Sequence, residues 1–193
     1  MKKIIALVLA CSAFMLTGCA HQIQLNPELS NLPESTNKID KNVGYVLNDT
    51  LRMKEVTTPG GGGDKVTYTP YKDTETALYT VLANKFNKVF MMNSASDTAT
   101  IESNNISYVF IPEIVTNSSS SSMLTWPPTK FMVNLSCKAI DAEGNQIWEK
   151  TVSTEGEAEF DEFKSDFSLS ARRATKAAFE KMAQELDATE AFK

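Results

Sequence analysis

Two stretches in the second half of the chain alternate apolar and polar residues almost without a break: KFMVNLSCKAID and QIWEKTVSTEGE. Phe131, Val133, Leu135, Cys137 and Ala139 share one face of the first, and Trp148 and Val152 one face of the second. A period of two is that of a half-buried strand, and the short link Ala142-Glu143-Gly144-Asn145 suits a hairpin turn. ISYVFIPEIV, residues 106–115, is nearly continuous in apolar residues and predicts an interior strand, with Pro112 marking a bulge or an edge near its end. Val43–Leu47 predicts an earlier strand, and LRMKEVTTPGGGGDKVTYTPY carries two short β-prone runs around Pro59 and Gly60–Gly63.

Helical spacing replaces alternation in two places. Leu78, Val81, Leu82, Phe86 and Val89 predict a helix over 74–88, capped by Asp73 or Thr74, with Phe90–Met92 running on as a short strand. Ala171, Ala174, Ala178, Met182 and Leu186 form a small-residue stripe on a second helix over 166–186, with Arg172, Arg173, Lys176 and Lys181 on its other side. The composite over 43–187 is a single α+β domain, a mainly antiparallel sheet with two helices packed on one face, followed by a C-terminal tail over 188–193.

The N-terminal pattern is of another kind. Lys2 and Lys3 precede an apolar run from Ile4 to Met15, too short for the roughly 20 residues that span a bilayer and typical of a secretory signal peptide. Residues 20–42 are polar, broken by Pro27 and Pro33 and without sustained periodicity, so 19–42 reads as a flexible tether; the other reading is that part of it packs along the domain. Leu16-Thr17-Gly18-Cys19 resembles the bacterial lipobox, at which lipoprotein signal peptidase cuts. The resemblance implies removal of residues 1–18, an S-diacylglycerol on Cys19, and a third acyl chain, such as palmitate, on the new amino terminus. Several chains are needed for a stable anchor, since one holds only marginally. Ala20 follows the cysteine where an aspartate tends to retain Gram-negative lipoproteins in the inner membrane, so the implied location is the outer membrane, facing the periplasm.

Composition narrows the chemistry. Loss of Lys2 and Lys3 moves the formal charge from −5 to about −7, a poor match for nucleic acid or an anionic lipid surface. Once Cys11 leaves and Cys19 is acylated, Cys137 is the one remaining thiol, which leaves no internal disulfide. It reads as a small buried hydrophobe. The only histidine, His21, lies beside the acylation site, so neither a histidine metal site nor a histidine-based catalytic pair is expected. Gly60–Gly63 lack the Gly-Lys-Ser/Thr of a phosphate loop and read as a loop or hairpin tip. Glu155, Glu157 and Glu159 read as a solvated strand end, with a divalent-cation site the alternative; Glu102, Glu113, Asp141 and Glu149 single out no carboxylate pair. The expectation is a non-enzyme with no cofactor beyond its covalent lipid.

One stretch has the character of a contact surface. NSSSSSMLTWPPTK, residues 117–130, sets Met123, Leu124, Trp126 and Pro127 between a serine run and a stiff Pro-Pro step. Trp126 either makes an outside contact, anchoring another protein or touching lipid or a glycan, or folds back over the end of the sheet as a lid on the core. The order of elements (a strand at Val43 to Asn48, a helix carrying Leu78 and Leu82, a hairpin with Trp148, a closing helix) is similar to that of the YajG-like outer-membrane lipoproteins. That resemblance rests on element order, and only Cys19 carries a role across. The function expected is binding or scaffolding of another envelope protein; the alternative is a lipid- or amphiphile-binding protein with a cavity between the sheet and the helix bearing Leu78, Leu82 and Phe86.

Overall fold

A computed structural model describes residues 20–192. The signal segment and Leu16, Thr17, Gly18 and Cys19 lie outside the described residues. The described residues form eight strands and five helices in chain order: β1 (Ala20–Gln22), β2 (Ile39–Val46), α1 (Asp49–Arg52), β3 (Val56–Pro59), β4 (Lys65–Tyr68), α2 (Pro70–Lys85), β5 (Phe86–Met92), α3 (Thr98–Asn104), β6 (Ile106–Ser119), β7 (Lys130–Asp141), β8 (Gln146–Glu157), α4 (Phe160–Phe163) and α5 (Leu169–Ala188). Among the described residues no helix is long and apolar enough to cross a membrane.

The fold is α+β, with a five-stranded sheet in the order β5-β2-β6-β7-β8 and a three-stranded sheet in the order β1-β4-β3. Both sheets are mixed. β6, β7 and β8 form an antiparallel meander, but β2 runs parallel to β5 on one side and to β6 on the other. A side-chain pattern fixes which face of a strand is buried and is silent on direction; here α2 and α3 supply the long crossovers that parallel neighbours require.

The meander follows its hydrophobic pattern closely. Phe131, Val133, Leu135, Cys137 and Ala139 are buried on one face, and burial pushes the Cys137 thiol up to about 12, which leaves it inert at neutral pH. Pro112 introduces no bulge: the β6–β7 register runs unbroken through Pro112 and Cys137. Pairing of β2 with β6 ends at Phe110, and Ile114 N–H, on the same side as the Pro112 nitrogen, donates to Tyr71 Oη at 3.3 Å. Pro112 therefore sits where the sheet asks for no ladder N–H.

α2 and α5 lie together on one face of the large sheet and share its main core. Ala171, Ala174, Ala178, Met182 and Leu186 are all buried, as their spacing requires. α2 begins four residues before Thr74, with Pro70 in its first turn, where its missing N–H costs nothing. It ends at Lys85, and the chain turns into β5 because Phe86 pairs alongside Ile39 and packs against Phe110 at 5.4 Å between ring centroids. The opposite face of the sheet carries a smaller cluster of Val46, Met92, Ile106 and Val109, partly covered by Ile101 of α3.

Both ends of the domain depart from expectation. The segment expected to be a tether packs along the domain instead. Ile23 and Leu25 are fully buried, Ile23 N–H donates to Thr67 O at 3.0 Å, and Leu25 N–H to Asp73 Oδ2 at 3.1 Å. Its apolar residues are few and broken up by polar residues and two prolines, yet Ile23, Leu25 and Leu29 are buried in the main core. The expected C-terminal tail likewise ends in the core. Phe192 is buried within an aromatic cluster of Phe86, Tyr108, Phe110 and Trp148, at centroid distances of 5.2–5.7 Å.

Candidate functional site

The loop between β6 and β7 stands on a frame assembled from three distant parts of the chain. Tyr68 Oη and Thr116 Oγ1 lie 2.8 Å apart, and Thr58 Oγ1 and Ser118 Oγ 2.6 Å, which binds the small sheet to the end of β6. The glycine loop between β3 and β4 then lies directly under the serine-rich loop. Gly61 N–H donates to Trp126 O at 2.8 Å and Gly62 N–H to Ser122 O at 3.2 Å. A Cβ on Gly61 would fall 1.9 Å from Thr125 O, so the approach of the two backbones requires glycine there. The glycine run is a packing surface for its neighbour.

The Pro-Pro step is fixed from the other side. Pro127 and Pro128 are buried, and Ser170 Oγ at the start of α5 donates to Pro128 O at 2.8 Å. Arg173 grips Glu162 through two N–H···O bonds of 2.7 and 3.0 Å, which brings α4 against α5 and draws the Glu162 carboxyl down to about 2. α4 thereby presents Phe160 beside the loop, with Phe163 buried behind it.

On this frame the two readings of Trp126 divide between neighbouring residues. Trp126 folds back and is half-buried against the core. The His21 ring stacks on it at 4.2 Å and 14°, Phe167 packs at 4.9 Å, and His21 Nε2 lies 3.3 Å from Asp64 Oδ2. Met123 and Leu124, by contrast, project into solvent at 88% and 95% exposure. Phe160 and Phe167 are half-exposed, and together with Trp126 and Pro127 these residues border a shallow hollow of about 500 Å³. Met123, Leu124, Trp126 and Pro127 were legible as candidates; Phe160 and Phe167, over thirty residues further on, carried no signal linking them to the loop.

Several of the acidic residues named above have structural partners. Lys130 bridges Glu155 at 3.0 Å and Glu157 at 2.5 Å, and the two carboxylates raise its ammonium to about 12. Glu159 and Glu162 close a capping box at the start of α4. Asp141 accepts bonds from Glu143 and Asn145 within the hairpin turn. Among the described residues no group of three or more histidine, cysteine or acidic side chains is arranged to hold a metal.

A second groove, about 530 Å³, runs between α2, α5 and the N-terminal segment. Leu78, Leu82 and Phe86 are buried in the core instead of lining a cavity between sheet and helix; Val81 and Lys85 reach this outer groove. Lys85 is buried and paired with Asp187 at 3.2 Å. Ser35 Oγ and Thr36 Oγ1 donate to the Asp187 carboxylate at 2.5 and 2.7 Å and, with Lys85, hold it well below the usual carboxylate range. A depressed native pKa gives stability that is present above the unfolded value of about 3.9 and lost as pH falls through the native one. Asp187→Asn should therefore cost about 2 kcal/mol at pH 7. That cost should shrink below about pH 4, as urea unfolding of both proteins across pH would show.

No family model and no curated protein matches the chain. Several solved structures are similar to it at low identity. A PelC dodecamer from Paraburkholderia phytofirmans aligns at 15% identity over 81% of this chain and 93% of its own, with a TM-score of 0.49. A neuraminyllactose-binding hemagglutinin homolog from Helicobacter pylori aligns at 11% identity over 88% and 92%, with a TM-score of 0.47. A Xanthomonas campestris protein of family DUF330 aligns at 13% identity over 89% and 92%, with a TM-score of 0.45. No residue role, ligand or assembly is carried over from them.

Proposed function

We propose that the chain is a lipoprotein held by acyl groups on Cys19 at the periplasmic face of the outer membrane, acting without catalysis by binding or scaffolding another envelope protein. The lipobox-like Leu16-Thr17-Gly18-Cys19 motivates the address. The observation that supports the mode of action is the way the chain enters the domain. Ala20–Gln22 joins the small sheet as a strand and His21 is stacked on Trp126, so no free linker separates Cys19 from the folded body. An anchor coupled directly to a domain holds its faces at a set attitude to the membrane, which a scaffold uses. The face of β6 and β7 turned away from α2 and α5 is covered by α3 only near Val109 and Ile140, and further along it Val115 and Met132 sit as half-exposed apolar residues.

Two measurements test this reading. Cys19→Ser should remove at least nine-tenths of the protein from outer-membrane fractions; undiminished fractionation would refute the anchor. Photo-crosslinking in cells from Val115 and Met132 should give a discrete protein adduct that a probe at Lys176 does not. Identical patterns from all three positions would count against a partner on that face.

A further inference from the structure

We infer that Met123 and Leu124, with Phe160 and Phe167, enter the surface of the lipid bilayer that holds Cys19, so that the domain is seated by two adjacent contacts, one covalent and one apolar. This rests on the reading of Cys19 as acylated.

The first support is position. Cys19 is peptide-bonded to Ala20, which places their Cα atoms about 3.8 Å apart. Ala20 is fixed opposite Lys65 in the small sheet, and the next residue, His21, stacks on Trp126. The acylation site is thus within a few residues' reach of the apolar hollow, and chains inserted from Cys19 bring the lipid surface to the same end of the domain.

The second support is chemistry. The exposed groups are a methionine, a leucine and two phenylalanines around a half-buried tryptophan, the composition that settles at the boundary of headgroups and acyl chains. Charges beside them are already partnered. Lys164 pairs with Asp161 and lies 4.8 Å from the Phe160 ring centre, and Asp64 is beside His21. Lysine stems bordering an apolar surface can lie along it with the ammonium in water.

The third support is the backbone. A loop entering a region poor in water must satisfy its polar groups internally. Gly61 and Gly62 N–H groups bond to Trp126 O and Ser122 O, Leu124 N–H bonds to Ser122 Oγ at 3.3 Å, and Thr125 Oγ1 bonds to the same oxygen at 2.7 Å. A soluble partner could meet the same apolar residues, but the adjoining anchor makes lipid the surface always present. Insertion to roughly 5–10 Å, the depth of interfacial apolar groups, is expected.

The test uses the full protein extracted from membranes and reconstituted in vesicles of phosphatidylethanolamine and phosphatidylcholine, zwitterionic lipids that do not repel the net negative charge of the domain. An environment-sensitive fluorophore is attached at Leu124→Cys, an almost fully exposed position, and separately at Lys176→Cys on the outer side of α5. Lipids brominated near the headgroup should quench the label at 124 by half or more and the label at 176 by less than a tenth. Adding Met123→Asp and Phe160→Ser to the labelled 124 variant should abolish the difference. Acylation of Cys19 is read independently from the mass of the N-terminal peptide. An acylated protein whose label at 124 is quenched no more than that at 176 overturns the inference and leaves the anchor intact. An unacylated protein that fails to float with the vesicles overturns both.

Discussion

Gly156→Ala should destabilise the protein by about 3 kcal/mol, at the upper end of what overpacking usually costs. The sign is the informative part. Alanine normally improves on glycine in ordered chain, by roughly 0.5–1 kcal/mol, because it restricts the unfolded state. Here β8 passes under the first turns of α5, and a Cβ at 156 would stand 2.2 Å from Ser170 O and 2.4 Å from Ala174 N. Both are helix backbone, so the strain cannot be relieved by rotating one side chain. The helix would have to lift, which also strains the Thr154 hydroxyl bond to Ala174 O, now 2.8 Å, and the Ser170 bond to Pro128. Urea unfolding of the purified variant measures the effect, and a gain in stability would show that β8 and α5 are not in close contact here.

Phe192→Ala should cost about 3–5 kcal/mol, the range for removing a fully buried aromatic ring. Phe192 lies beyond the end of α5 and enters the space between Phe86, Phe110, Tyr108 and Trp148, with its ring edge-on to Phe86 at 87°. Those neighbours come from β5, β6 and β8, so one residue near the C-terminus ties together strands from both halves of the large sheet. Aromatic pairs add roughly 0.5–1.5 kcal/mol beyond buried area, which places the loss toward the top of the range. A dispensable tail would predict a change near zero, measurable in the same unfolding experiment.

These two residues also mark the limit of what periodicity conveys. The β7–β8 hairpin and the alanine stripe of α5 were readable because each repeats its pattern over three or more turns or pleats. Phe192 is a single apolar residue after a helix, and no repeat announces that it plugs the core. Ile23 and Leu25 make a single alternation, too short to stand out as a strand, so a core-bound segment reads as a polar tether. The direction of β5 and β6 relative to β2 was hidden for another reason, since alternation assigns faces without fixing strand polarity. At the candidate site, the chemistry of Met123, Leu124 and Trp126 was visible in the sequence. Its assembly with His21, the glycine loop, Phe160 and Phe167 depends on contacts between residues tens to over a hundred positions apart.

The address and the orientation both depend on what is attached to Cys19, and the mass of the mature N-terminus, measured on protein extracted from membranes, tests that most directly. The mature chain should begin at Cys19 and carry a diacylglycerol and a further acyl group. A chain that retains Met1, or one that begins elsewhere without lipid, would contradict it.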